Sequence, residues 1–270
     1  MGTIAHISDL HFGRHSAAAA DDLLASLRER DPDLVVLTGD LTQRARHGEF
    51  IQARHFLNRI SQPKLVVPGN HDMPLYNLFQ RFLTPFAKYH RYISSLGLSG
   101  ELFSNEEIAV LGLNTARATA HKSGRISTEQ IAQVRRTFSE VPPGVFKVLA
   151  THHPFGYPGD ERPLELAGRS ALALDAVAAA GVHLLMSGHH HRTLSGDMKI
   201  GMGAAGSVLV LHAGTAISTR LRGMEGNTYN LIRVAGERLS VSIMARPAEG
   251  GFRAGRVLSY HLQEGRWRPV

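Results

Sequence analysis

Leu34-Val35-Val36-Leu37-Thr38-Gly39-Asp40 sets the reading of this chain: β-favouring apolar residues run without a break and stop on a glycine and a carboxylate. A short, continuous apolar run of this kind fits a strand buried on both faces, as in α/β proteins. Outward from it the pattern recurs. Residues 3–8 precede Asp9 and His11, residues 64–68 precede Gly69-Asn70-His71-Asp72, residues 146–151 precede His152, and residues 182–187 precede Gly188-His189-His190-His191. Residues 108–114 form a further run of the same type. Between these runs, residues 21–30, 49–60, 127–138 and 170–180 have helical periodicity, with Ser127 placed to cap its helix.

After about residue 200 the pattern changes to strands at 207–213, 229–234, 239–245 and 256–262, punctuated by Gly-rich turns. This part, roughly 201–270, is expected to supply the strands of a second sheet. No internal repeat or Pro-rich linker interrupts the chain, so residues 1–270 read as one domain, with roughly 73–100 as a candidate helical cap.

The composition narrows the chemistry. With 270 residues, 43% of them hydrophobic, the chain can bury a large core. It has no cysteine, which excludes disulfides, thiolate ligands and a cysteine nucleophile, and leaves its 16 histidines with Asp, Glu and Asn for any metal. No run of about 18 apolar residues could span a membrane. The amino terminus lacks the features of a secretory signal, and a cytoplasmic location is the expectation. Thirty Lys and Arg against 23 Asp and Glu give a charge of +7, which favours anionic substrates.

In open α/β sheets, ligands bind beyond the carboxyl ends of the strands. Asp9 and His11 lie two residues apart at such an end and can offer an oxygen and a nitrogen to one cation. Asp40 can bridge, because a carboxylate reaches two ions about 3.5–4 Å apart. Asn70, His152 and His189 are neutral donors for a second ion. Two dications with only Asp9, Asp40 and a bridging hydroxide keep a surplus of about one positive charge, suited to a phosphodiester anion. His71, beside a ligand but not needed as one, is the candidate general acid for the leaving group, and Asp72 is a candidate to orient or polarise it.

The neighbours His153 and His190 read as non-ligands, since adjacent side chains of an extended segment diverge. Arg220 and Arg222, in the polar Gly-rich segment 214–230, suit phosphate recognition through forked donors, against the alternative of a solvated hairpin. Segment 75–92 is rich in aromatics. Helical spacing makes these core residues, with Tyr89 and Tyr92 stacking on a base or apolar leaving group as the alternative.

Asp9-x-His11, Gly39-Asp40, Gly69-Asn70-His71-Asp72, His152 and Gly188-His189-x-His191 together resemble the calcineurin-like metallophosphoesterase superfamily. The similarity covers approximately residues 3–192. Ile7-Ser8-Asp9-Leu10-His11-Phe12-Gly13 with Gly39-Asp40-Leu41-Thr42 looks most like the bacterial class III cyclic-nucleotide phosphodiesterase group.

The resemblance implies an α/β fold, specifically a four-layer αββα sandwich of two mixed sheets flanked by helices. It implies that Asp9, His11, Asp40 and His191 hold one ion and Asp40, Asn70, His152 and His189 a second, as two divalent ions of Mn, Fe or Zn. His71 would be catalytic. The expected activity is a phosphodiesterase acting on a small nucleotide or glycerophosphodiester substrate. A phosphomonoesterase, a nuclease or a non-catalytic scaffold are the alternatives, with nucleic acid as the lesser partner and self-association left open.

Overall fold

Alternate side chains of the central strands point into different cores. A computed structural model of the chain describes residues 1–96, 101–120, 122–158, 165–200, 206–221 and 226–270. In β1 (Gly2–Ile7), Ile4 faces one apolar cluster while Ala5 and Ile7 face another. β2 (Leu34–Thr38) divides the same way, with Leu34 and Val36 on one side and Val35 and Leu37 on the other. The two-residue period of a strand produces this division. Burial of both faces is why these runs show no polar alternation.

With β3 (Lys64–Val67), these strands form the parallel part of a sheet. A second sheet holds β4 (Leu102–Ser104), β5 (Ile108–Leu113), β6 (Phe146–Thr151), β7 (Leu184–Ser187), β8 (Leu194–Lys199) and β9 (Ser207–His212), in the order β4-β5-β6-β7-β9-β8. The remaining strands are β10 (Thr228–Ala235), β11 (Arg238–Ala245), β12 (Arg253–Gln263) and β13 (Arg266–Pro269). They continue the first sheet from the far edge of β1, giving the order β13-β12-β11-β10-β1-β2-β3.

Here the structure corrects the sequence reading of residues 201–270 as second-sheet strands. Only β9 joins the second sheet, whereas β10 pairs antiparallel with β1, Ala5 opposite Leu231. An apolar run shows that a strand is buried but not which edge receives it.

Helices close both outer faces. Leu23 and Leu27 of α1 (Ala17–Arg30) and Phe50 and Leu57 of α2 (His47–Asn58) pack with Val35 and Leu37. Two short helices, α3 (Leu78–Leu83) and α4 (Ala87–Tyr92), follow β3. On the opposite face, Val134 and Phe138 of α5 (Thr128–Ser139) and Ala173 and Val177 of α6 (Ser170–Ala179) cover Leu111 and Leu149. The inner faces of the two sheets meet through Val36, Val67, Val110, Val148 and Leu211. The result is two mixed sheets flanked by helices in four layers, as expected. Each large side chain buried in these interfaces contributes roughly 2 kcal/mol through the area it removes from water.

Local signals set the helix ends. Ser127 Oγ accepts the Gln130 N–H while the Gln130 side chain accepts the Ser127 N–H, a reciprocal cap that starts α5. Helix α1 starts four residues ahead of the expected 21, at Ala17, because Ser16 caps it and Ala17–Ala20 favours helix without periodicity.

Candidate metal centre

The loops that leave β1, β2 and β7 carry Asp9, His11, Asp40, His189 and His191, and all five have positive φ, between 49° and 74°. A residue with a β-carbon adopts this left-handed conformation at a cost of about 1–2 kcal/mol, least reluctantly when it is Asp, Asn or His. Strain gathered at one place marks a functional site when the surroundings hold it. Here Thr215 Oγ1 donates to the Asp9 carbonyl at 2.7 Å, the Asp9 N–H donates to Gly39 O at 3.1 Å, and the His11 N–H donates to Asp40 O at 3.0 Å.

These turns bring two groups of donor atoms together. Ligand atoms of Asp9, His11, Asp40 and His191 all lie within 4.8 Å of one another, and all four residues are buried. His11 Nε2 stands 3.1 Å from His191 Nε2 and 3.6 Å from Asp9 Oδ1, which is 3.2 Å from His191 Nε2. In the second group, His152 Nε2 stands 3.2 Å from Asn70 Oδ1 and 3.3 Å from His189 Nδ1. Asp40 lies between them. Its Oδ2 is 3.8 Å from His11 Nε2 and its Oδ1 is 3.4 Å from His152 Nε2.

The donor set fits divalent cations. Imidazole and carboxylate donors about 2.0–2.2 Å from a common ion sit roughly 3.0–3.5 Å apart when neighbouring in its coordination shell, near the spacings found here. Second contacts fix two donors: Thr38 O holds His152 Nδ1 at 2.6 Å, and Asp9 Oδ2 accepts from Ser8 Oγ at 2.6 Å and from the His189 N–H at 3.1 Å. Such partners orient ligands and raise their basicity.

Charge is compressed in this space. Burial would raise Asp9 and Asp40, yet the facing imidazoles hold both carboxyl groups below their ordinary range, His191 foremost for Asp9 and His152 for Asp40. Burial works against a charged His152, but the Asp40 carboxylate raises it to about 9. His189 is lowered to about 3 by burial and then by His152.

His71 is half-buried beside this centre, its ring centroid 5.0 Å from that of His11. Its Nδ1 lies 2.8 Å from the Gln43 carbonyl, an acceptor only, so Nδ1 carries a proton and donates. Its backbone N–H donates to Asp40 Oδ1 at 2.9 Å.

Asp72 does not orient this ring, contrary to the sequence reading. Its Oδ2 accepts from Gly69 N at 2.9 Å and Leu41 N at 3.2 Å, and its Oδ1 accepts from Thr42 N at 2.9 Å and Thr42 Oγ1 at 3.0 Å. The carboxylate clamps the loops after β2 and β3 to one another. Burial and then the Asp40 charge push it up to about 6.

A cavity of about 410 Å³ opens over the centre, and Asp40, Asn70, His71, His189 and His191 line it. Arg220 is on its wall, exposed, with Nη1 donating to Gln43 Oε1 at 3.3 Å. Arg222 lies outside the described residues. Gln43, Arg44 and Lys122 also line the cavity and were not singled out from the sequence. For Gln43 and Arg44 a signal existed, since they continue the loop that carries Asp40.

His153, read from the sequence as a non-ligand, has a ring nitrogen within 4.8 Å of donor atoms of His152 and His189 and so joins them as a candidate metal donor, with its Nδ1 2.9 Å from Thr115 Oγ1. His190 lines the cavity and contacts the Tyr157 hydroxyl. The alternative of stacking by Tyr89 and Tyr92 is not supported. Tyr89 is buried with its hydroxyl donating to Val66 O, and Tyr92 stacks on Phe50.

A four-layer sandwich with Asp, Asn and His donors converging beyond its parallel strands defines a metallophosphoesterase architecture. Residues 2–193 match the calcineurin-like phosphoesterase family, and the chain belongs to it. The glycerophosphodiester phosphodiesterase GpdQ of Enterobacter lignolyticus is 41% identical over 81 residues, 26% of this chain and 29% of that protein. A probable cyclic nucleotide phosphodiesterase, syc0937_d of Synechococcus sp., is 30% identical over 81 residues, 27% of this chain and 32% of that protein. The match spans about a third of the length of these relatives. A dimetal phosphatase from Danio rerio shares the fold, with a TM-score of 0.65 at 14% identity over 96% of this chain and 98% of that one.

Proposed function

We propose that the chain is a phosphodiesterase that works with two divalent ions held by these donors. The observation that carries this reading is the placement of Asp40, whose two oxygens face separate donor groups, Oδ2 toward His11 and Oδ1 toward His152. Asp9, His11 and His191 would complete one position, and Asn70, His152 and His189 the other. When bound, such a pair supplies Lewis-acid stabilisation of a phosphoryl oxygen and acidifies water to a nucleophile near neutral pH.

The protein's own groups do the rest. His71 keeps Nδ1–H on the Gln43 carbonyl, which leaves Nε2 to carry a proton to the departing oxygen. Arg220, on the cavity wall, would bind a non-bridging phosphate oxygen through its forked donors. The names of the two relatives favour diesters of the glycerol or cyclic-nucleotide kind as substrates.

Purified chain loaded with Mn²⁺ should hydrolyse bis(p-nitrophenyl) phosphate and lose that activity on chelation. A panel of a cyclic nucleotide, a glycerophosphodiester, a linear dinucleotide and a monoester would then rank the substrate classes. Turnover of the monoester alone would replace the diesterase reading, and no turnover with any divalent ion would favour a scaffold.

A further inference from the structure

The short helix α3 is turned inside out. A surface helix normally buries its apolar stripe and shows charge to water. Here Arg81 is the buried residue, while Leu78, Phe79, Phe82 and Leu83, with Tyr76 just ahead of them, are 57–76% exposed.

The inversion is fixed. The Arg81 fork donates to three backbone carbonyls, Nε to Ala118 O at 2.9 Å, Nη1 to Pro74 O at 3.2 Å and Nη2 to Ala120 O at 3.2 Å. These bonds hold the helix with its large apolar side chains outward. A contiguous exposed cluster of this kind marks a contact surface.

Charge identifies what it contacts. Residues 73–100 contain no Asp or Glu, and with Arg81 buried their remaining Lys and Arg residues are Lys88 and Arg91. Arg44 borders the cluster, donating from Nη1 to the Tyr76 hydroxyl at 2.6 Å with its guanidinium 5.2 Å from the centre of that ring. Lys122 and Arg220 add two cations along the cavity over the metal centre, against one carboxylate beyond the metal donors, Glu165, and Met73, Leu75 and Arg81 of the same segment form part of its wall.

Large apolar side chains, a tyrosine at the margin, a segment free of carboxylates and an excess of cations beside it suit the boundary between headgroups and acyl chains of an anionic bilayer. A protein partner would leave the missing acids unexplained. No helix among the described residues is long and apolar enough to cross a membrane, so the contact is peripheral.

We infer that Tyr76, Leu78, Phe79, Phe82 and Leu83 dock this chain on an anionic lipid surface, with Arg44 meeting the headgroups. The docked face adjoins the cavity, so an amphiphilic phosphodiester could pass from bilayer to metal centre without crossing bulk water. Docking itself does not depend on the proposed catalysis.

The test is co-sedimentation of the full chain with phosphatidylcholine vesicles, with and without about a third phosphatidylglycerol. Binding is expected only with the anionic lipid, reduced by salt near 0.5 M. The double substitution Phe79→Ser/Phe82→Ser, on exposed side chains, should weaken partitioning by at least about tenfold while circular dichroism and p-nitrophenyl ester turnover stay unchanged. Equal binding by wild type and variant, or no binding by wild type, overturns the inference. So does a concentration-dependent dimer that the same substitutions dissolve in the absence of vesicle binding, because a second copy would then cover the face.

Discussion

A β-carbon built on Gly69 would lie 2.1 Å from Oδ1 of Asp40 and 2.4 Å from the Asp40 backbone nitrogen. The glycine is required for close approach, because its backbone φ of −106° is open to any residue. Gly69→Ala must therefore push the Asp40 carboxylate off its position between the two donor groups. We expect Mn²⁺ affinity to fall about 10- to 100-fold, the range typical of a disturbed supporting shell. Isothermal calorimetry would measure it, with Gly48→Ala as control, since nothing lies within 4 Å of that added carbon. Unchanged stoichiometry and affinity in Gly69→Ala would remove Asp40 from the bridging role.

His71→Ala should separate catalysis from metal binding. The ring is held by the Gln43 carbonyl and no donor-group contact depends on it. Loss of a general acid typically costs a factor of about 10²–10⁴. That loss should be full for a diester with an alkoxide leaving group and much smaller for a p-nitrophenyl ester, whose leaving group needs little protonation. Steady-state kinetics on both, with metal content by mass spectrometry, checks this. Equal losses on the two substrates would argue that His71 does not supply the proton.

The donor groups were legible in the sequence because parallel strands carry their chemistry at one end, so Asp9, Asp40, Asn70, His152 and His189 could be read from apolar runs that stop on polar residues. What escaped was long-range. Nothing in residues 228–269 states that β10 pairs with β1 and not with β9. The edge strands β8 and β13 were missed because their sequences, LSGDMK and RWRP, bury too little to form an apolar run. Asp72 was misread for a related reason. Adjacency in sequence suggested His71 as its partner, but the turn Asn70–Asp72 directs its carboxylate to the backbone of a loop some 30 residues away.

That clamp makes Asp72 a stability residue. Asp72→Ala would leave the N–H groups of Gly69, Leu41 and Thr42 without their acceptor inside the protein. At about 1–3 kcal/mol for each unsatisfied buried donor, partly relieved by relaxation, the loss should be about 3–5 kcal/mol. Asp72→Asn keeps one oxygen and should fall between wild type and Ala in urea midpoint. Both substitutions should lower turnover by displacing His71 and Asp40 together. An Ala variant as stable as wild type would show that the clamp contributes nothing.

His183 supplies a pH dependence far from the metal centre. Its Nδ1 accepts the Lys147 N–H at 2.9 Å and its ring stacks on Phe146 at 4.8 Å, an arrangement that requires neutral imidazole. Burial, and then the Lys147 charge, lower it to about 4 from an ordinary 6.5. The sign follows from linkage. The unfolded chain takes up this proton below 6.5 and the native chain only near 4, so the stabilisation is complete above 6.5 and is lost as pH falls through that interval. By pH 5 the loss should be on the order of 2 kcal/mol. His183→Gln keeps an acceptor but does not titrate, so wild type should lose stability relative to the variant between pH 7.5 and 5 in urea titrations. Parallel curves for the two proteins would mean that His183 is as easily protonated in the native state as in the unfolded chain.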